Sequence, residues 1–514
     1  MENTKKMLKT AGFMAAATFL AKVCGLIRDM MIAAFFGTGM EADAYMTATR
    51  LPTTLFDIVI GGVISAAFIP VFNSVLKKEN REEALKFANR FIGMVLFISG
   101  LIAIFGIVFS DYLINFMAPD FSKEAHDLSV QLSSIMFPMI IFTGLAFSFV
   151  GMLQSFGEYN IPAVMSLISN LAVILYFIVF GKKFGVHGLA VTMLASWGLQ
   201  VIIQIPSLIK FKYKFRPALN FKDKNIIAAM KLALPMLIST WVQPLYTIIN
   251  TRLASGIYKG VSSLEYANRL YIVMTGVFSF VITNLMFPKM SRANVSGEEN
   301  EAKQMTVLSL KLISLVILPV MAVFIVLAKP IIAVLYQHGG FMLEDTLRSG
   351  TALSCYAMGM AAMAYNEILS KSFFSMQNSR TPMINALISM AVNIACAYTF
   401  SGMFGIAGLA AATACGSCAN ALLNYIAMKK HYGVLLDKRD KKEIVKTVFS
   451  AAVMSVVMFA VYKLMSQKFE LGLSGGIIMG SVSGLFGAVI YLCLCFGLKV
   501  DILMGFFKKG GQDE

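Results

Sequence analysis

Charge is what this sequence has least of. Only 14% of its 514 residues are Asp, Glu, Lys or Arg, against about a quarter in soluble domains. With 58% hydrophobic residues and a mean hydropathy of +0.73, a chain living in water is excluded, and most of its surface must face lipid or its own apolar helices. Stretches of roughly ten residues with alternating polarity are missing too, which excludes a membrane barrel and leaves helices as the spanning elements. There is no Walker A loop and no large polar domain to hold a nucleotide. The histidines, His126, His187, His338 and His431, fall in loops or at helix ends, so neither a Ser-His-Asp arrangement nor a metal-ligand cluster can be assembled, and no enzyme activity, cofactor or metal is expected. Cys24, Cys355, Cys396, Cys415, Cys418, Cys493 and Cys495 lie mostly in apolar runs. The "CGSC" stretch at 415–418 has the spacing of a redox or metal pair but lacks a neighbouring His or further Cys, and reads as buried free thiols.

What is present is an all-α polytopic pattern. Apolar runs predict fourteen transmembrane spans near 10–36, 42–75, 87–117, 129–155, 160–181, 186–210, 226–255, 262–290, 304–328, 348–376, 381–402, 405–429, 444–465 and 474–498. Each is long enough to cross a hydrocarbon layer of about 30 Å. Lys5, Lys6 and Lys9 resemble the start of a signal peptide, but no small-residue cleavage site follows, so the first span is expected to be retained. The net charge of +16 is concentrated in segments following even-numbered spans, at 77–90, 210–224, 429–442 and the tail "KKGGQDE". That is an orientation signal rather than a nucleic-acid footprint, and it places both termini in the cytoplasm.

Shifted by 220 residues, the sequence matches itself. "IPAVMSLISNLAVILYFIVFGKKFGVHGLAV" (161–191) lies over "TPMINALISMAVNIACAYTFSGMFGIAGLAA" (381–411) without a gap. Two parallel six-helix repeats are therefore expected, an N-lobe over 1–220 and a C-lobe over 221–432, followed by two additional C-terminal helices over 433–514. Parallel repeats place a substrate path between lobes near the membrane midplane, which favours a rocking transporter over a fixed pore.

The stretch "GLIRDMMIAAFFGTG" (25–39) carries an Arg-Asp pair inside an apolar run. Arg28, Arg50 and Arg269 sit roughly two turns below the outer ends of spans 1, 2 and 8. Arg252 is nearer the outer end of span 7, and Lys22 is close to the midplane. Facing lipid, each such charge would cost about 2.5–3.5 kcal/mol, so an internal, wet cavity is expected around them. Lys22 and Asp29 share a helix face while Arg28 points about 100° away; Asp29 either orients an arginine or partly neutralises the site. Snorkelling to the interface is the competing reading, stronger for Arg252 and Arg50 than for Arg28. Several arginines and few acids suit an anion, because guanidinium groups bind phosphate oxygens in pairs and keep their charge on burial. Glu367 and Lys371 read as an ordinary stabilising pair four residues apart. Asp57 lies within an apolar run, where it can pair with a cation.

The segments "GLIRDMMIAAFFGTGMEADAYMTATRLP" (25–52), "YANRLYIVMTGVFSFVITNLMFPKMS" (266–291) and "LSKSFFSMQNSRTP" (369–382), with "IPAVMSLISN" (161–170), resemble the MurJ/MviN family, over nearly the whole chain. The resemblance implies a flippase of the bacterial cytoplasmic membrane that moves lipid II, the undecaprenyl-diphosphate-linked peptidoglycan precursor, from the inner to the outer leaflet by alternating access. It implies substrate-contacting roles for Arg28, Asp29 and Arg269, with Lys22 in place of a family arginine, Asp43 on the acidic position opening span 2, and Arg50 on a basic position there. After "LP" the chain has Phe56, Asp57 and Gly61 where the Gram-negative pattern has an arginine pair and a later glutamate, so a cation expected near the head group is missing. Span 7 has Asn250 and Thr251 and no acid, and span 11 offers Asn385 and Asn393; the sodium site of some relatives is not expected. The expected partners are lipid II, membrane lipids and, as candidates, cell-wall synthesis proteins, with the chain a monomer. The alternatives are a flippase for another polyprenyl-diphosphate-linked glycan, a multidrug/cation antiporter of the same superfamily, or a non-transporting scaffold for wall-synthesis enzymes.

Overall fold

The computed structural model describes residues 2–61, 64–181 and 183–504, with the side chains of all of these except 2–11, 65, 66, 234–240, 242 and 243. The basic tail counted above, at 508–514, lies outside the described residues. Every regular element among the described residues is helical. Among the described residues eight helices are each long and apolar enough to cross a membrane, and one pair bent by 40°, counted as one span, makes a ninth. In the apolar window of the helix Arg81–Val108, 44% of residues are buried; much of the rest is large and apolar, as at Leu101, Ile104 and Val108. Such surfaces require an apolar solvent. The chain is a multi-pass membrane protein.

Packing divides the chain into two units, 1–262 and 263–514. The first contains α1 (Glu2–Phe36), α2 (Met40–Phe56), two π-helical turns (Asp57–Gly61 and Ile64–Phe68) and α3 (Ile69–Lys78). There follow α4 (Arg81–Val108), α5 (Ser110–Met117), α6 (Lys123–Met136), α7 (Met139–Ser155), α8 (Asn160–Phe180), α9 (Gly185–Ile202), α10 (Ile205–Lys210), α11 (Lys224–Thr240) and α12 (Val242–Ser255). Side-chain caps set several starts: Asn80 accepts from the Glu83 N–H, Ser122 from the Ala125 N–H, and Asp223 from the N–H groups of Asn225 and Ile226. Each satisfies an otherwise orphaned donor at a helix N-terminus. The core of this unit is aromatic, with Phe68 packed between Phe72, Phe87 and Phe91. Within span 2, Asp57–Gly61 and Ile64–Phe68 form the two π turns, and the Trp241 indole N–H, at the break between α11 and α12, donates to the Ile58 carbonyl at 2.8 Å. The Ile58 carbonyl thereby has a donor from another helix.

The helix α13 (Gly260–Val295) leads into the second unit. It is followed by α14 (Glu299–Val326), α15 (Ala328–Tyr336), α16 (Leu343–Ala357), α17 (Met360–Ser375), α18 (Arg380–Tyr432), α19 (Lys438–Met465) and α20 (Leu473–Gly497). Here polar side chains glue the helices: Thr306 to Ser372 and Ser314 to Tyr365 join α14 to α17. An amide chain, Asn385 to Asn424 to Asn366, joins the two halves of α18 to α17. Asp437 and Asp440 form a reciprocal capping box opening α19, and Arg439 of that turn bonds Asp501, holding its carboxyl below the usual carboxylate range. Spans 2, 3, 4, 6, 7 and 10 are each divided between two or more elements and spans 11 and 12 run together as α18, so the helices are consistent with the fourteen spans without counting them one for one. Of the seven cysteines only Cys495 is buried. The others are partly or fully exposed on helix surfaces, because an apolar run that faces lipid does not require its thiols to be inside.

Element ends recur at the repeat spacing. Ser155 and Ser375, 220 residues apart, close α7 and α17, and α8 and α18 start at Asn160 and Arg380. Gly185 and Gly405, superposed by the same shift, have φ of 53° and 56°, a left-handed conformation disfavoured for residues with a Cβ. A Cβ at Gly405 would meet nothing within 4 Å, so Gly405→Ala isolates the backbone term. It should destabilise the protein by about 1–2 kcal/mol, read as a lower thermal unfolding midpoint in detergent, whereas Thr399→Ala on the exposed face of the same helix should leave the midpoint in place.

Candidate functional site

The Arg-Asp pair of α1 is closed on itself and on α8. The Arg28 Nε and Nη2 donate to one oxygen, Oδ1, of Asp29 at 3.0 and 2.9 Å, and Nη1 donates to the Asn170 Oδ1 at 2.9 Å. Asn170 in turn donates from Nδ2 to the Ala21 carbonyl at 2.9 Å. Ala21, Gly25 and Arg28 lie on one stripe of α1, and a Cβ at Gly25 would stand 3.4 Å from the Asn170 amide nitrogen. The absent side chain thus lets Asn170 reach both main chain and guanidinium. The Arg28 and Asp29 side chains are 15% and 9% exposed, a charge pair largely withdrawn from solvent. The ion pair both orients Arg28 and offsets its charge, so it fits either role open to Asp29. The partner is Arg28; Lys22 is exposed on α1.

The other cations of the first unit hold neighbouring helices. Arg50 of α2 donates to Thr251 Oγ1 of α12 at 2.7 Å, and Thr251 is fully buried. Arg252 donates to the Phe116 carbonyl at 2.7 Å and lies over the Phe116 ring. That carbonyl belongs to the last turn of α5, where a cation also complements the helix dipole. Asp43, buried in the first turn of α2, accepts from the Ser262 N–H at 2.7 Å. Its carboxylate therefore serves as a distant cap for the start of α13. Asp57 is exposed and opens the first π turn.

In the second unit, Arg269 pairs through Nε with Glu265 Oε1 at 3.2 Å, one turn earlier on α13; the arginine side chain is 39% exposed and the glutamate 11%. Sequence reasoning passed over Glu265 and Asn170. The i,i+4 spacing to Arg269 was an available signal for the first, while Asn170 is 142 residues from Arg28 with no local signal. Glu367 and Lys371 stand 3.9 Å apart, both well exposed, as a stabilising surface pair. An apolar pocket of about 460 Å³ is lined by Leu310, Met358, Tyr365, Leu369, Leu422 and Ile444, and none of its lining residues is a cation. No group of three or more His, Cys, Asp or Glu side chains placed to hold a metal occurs among the described residues.

The sequence model of the family described as "Lipid II flippase MurJ" matches residues 32–479. The "Probable lipid II flippase MurJ" of Rhizobium meliloti is 28% identical over 527 residues, covering 98% of this chain and 97% of that protein. The "Lipid II flippase MurJ" of Burkholderia cenocepacia is 26% identical over 435 residues, covering 83% and 84%. Among solved structures, a lipid II flippase MurJ in an inward closed conformation superposes with a TM-score of 0.79 at 23% identity, covering 95% of this chain and 99% of that one. An inward-facing multidrug resistance MATE family transporter of the MOP superfamily gives 0.69 at 16% identity, covering 83% and 98%. These two structures are similar in fold.

Asn170→Ala removes one acceptor from a desolvated guanidinium. It should lower stability by about 1–3 kcal/mol, measured as the thermal midpoint of the purified protein. Asn170→Asp, which keeps an acceptor facing Arg28, should recover part of the loss.

Proposed function

We infer, for a chain that belongs to the lipid II flippase MurJ family, that it moves lipid II across the bacterial cytoplasmic membrane from the inner to the outer leaflet. The observation that carries this reading is the family match over residues 32–479, which takes in all but the ends of the chain. No bond is made or broken in this process. The protein lowers the barrier to passing a diphosphate-linked glycopeptide through hydrocarbon by offering a water-filled path, alternately open to each side, while the lipid tail stays in the bilayer.

Arg28, Arg50 and Arg269, with Lys22, supply the positive groups for the diphosphate. Asp29 and Glu265 orient Arg28 and Arg269, as their bonds in the structure support. Asp43, bonded to the Ser262 N–H, supports the loop end where α2 and α13 start. Arg252, bonded to the end of α5, contributes mainly to the shape of the entrance. Both termini lie in the cytoplasm, the working unit is a monomer, and cell-wall synthesis proteins are its candidate protein partners. The sequence repeat assigns 1–220 and 221–432 to the two moving lobes and 433–514 to two added helices. The fold likeness to a MATE transporter raises a cation antiporter as the second reading. The intramembrane arginines disfavour it, because a cationic substrate would meet charge of its own sign.

In a cell depleted of its own lipid II exporter, this gene should restore growth and outward exposure of lipid II. Arg28→Ala and Arg269→Ala, at equal abundance in the membrane, should each lower that export at least about tenfold, some 1.4 kcal/mol or more. Arg28→Lys should retain part of it, since charge survives while the paired geometry does not. Full rescue by both alanine variants would remove the arginines from the mechanism.

A further inference from the structure

Residues 211–223, which join α10 to α11, have no regular structure yet are pinned along α4. Asn89 is the hub. Its Oδ1 accepts from the Tyr213 hydroxyl at 2.6 Å and the Arg216 N–H at 3.0 Å, its Nδ2 donates to the Lys214 carbonyl at 3.1 Å, and its own carbonyl accepts from the Ala218 N–H at 3.3 Å. Burial pushes the Tyr213 phenol up, so it remains a donor. Further along, the missing side chain of Gly93 admits the Ala218 main chain, and Phe221 meets Phe97 edge-on with centroids 6.0 Å apart. Asp223 then returns to pair with Arg90 and to cap α11.

Asn89 and Arg90 are the last polar residues of α4 before the apolar run 91–108. From Arg90 to Phe97 is about 10 Å of helix. The segment therefore lies as a strap across the boundary between headgroups and acyl chains, its polar main chain satisfied by Asn89 as non-helical backbone at that depth requires. Its outward face mixes two kinds of side chain. Phe215, Leu219 and Phe221 are 50%, 53% and 46% exposed. Lys212, Lys214, Arg216 and Lys222 are exposed among them, and none is in an ion pair with an acidic side chain of the described residues. Apolar groups that dip below the headgroups, interleaved with cations at the headgroup level, match an anionic membrane surface.

We propose that the strap 211–223 is a binding site for anionic phospholipid headgroups of the inner leaflet, with Asn89 as its positioning residue. The leaflet rests on the cytoplasmic orientation given under the proposed function; the lipid chemistry does not. Native mass spectrometry of the full-length protein, with phosphatidylglycerol or phosphatidylcholine added to the detergent, tests it. The wild type should retain phosphatidylglycerol at least tenfold better than phosphatidylcholine. Replacing Lys212, Lys214, Arg216 and Lys222 together with Ala, all exposed and outside the core, should abolish most of that preference. Replacing Lys429, Lys430, Lys441 and Lys442 with Ala should leave it. Asn89→Ala should weaken it without changing the net charge. An unchanged preference in the strap variant, or an equal loss in the control variant, overturns the proposal. A Lys212→Cys protein probed in intact cells with an impermeant maleimide reads the leaflet separately. Labelling should appear only after permeabilisation, and labelling from outside would refute the inner-leaflet assignment while leaving the lipid preference to stand.

Discussion

A guanidinium cannot shed its proton, so wherever a spanning helix carries one, the protein must supply its acceptors. Arg28 meets that requirement with one carboxylate oxygen from the next residue and one amide oxygen from α8. The requirement then spreads. Asn170 can serve Arg28 only while its own amide is held, which the Ala21 carbonyl does, and it can approach only because residue 25 has no side chain. Five positions on two helices are thus tied to one charge. Farther along, Phe35 and Phe36 of α1 pack on Phe177 of α8, so the same two helices are joined by apolar contact about two turns away.

The same accounting governs backbone groups. Where span 2 leaves regular helical geometry, Trp241 takes up the Ile58 carbonyl. Where the strap after α10 leaves helical structure altogether, one asparagine takes up three of its polar groups and lends its own carbonyl to a fourth. At both places a polar side chain is positioned to receive the irregular chain. The amide chain through Asn424 applies the rule to side chains, each buried amide satisfied by another.

The helical class and the position of most runs were legible in the sequence because the free energy of placing apolar side chains in lipid is local and additive along the run. The repeat was legible for a related reason: Gly185 and Gly405 face the same backbone demand, and the chain answers it with the same residue. The breaks were less legible. Nothing in the apolar run 42–75 announces two π turns, since composition carries no record of which carbonyl finds a partner elsewhere. At the candidate site, the cost of charge in a span singled out Arg28, Arg50 and Arg269, but their acceptors were read only in part. Asp29 was visible as a neighbour, and Glu265 was visible in principle at one helical turn. Asn170 and Thr251 come from distant spans, and a neutral amide or hydroxyl in a helix does not advertise which charge it serves.

The bonds around Arg28 bear on how tightly an anion can be held. Under the proposed function, a phosphate oxygen approaching that guanidinium meets three of its five N–H donors already engaged by Asp29 and Asn170, so capture through those three is an exchange of acceptors. The gain is a difference between two similar contacts, and the displaced carboxylate remains nearby to reclaim its place. A carrier needs such reversibility, because a cargo gripped by a bare cation in a low-dielectric setting would be slow to leave on the far side.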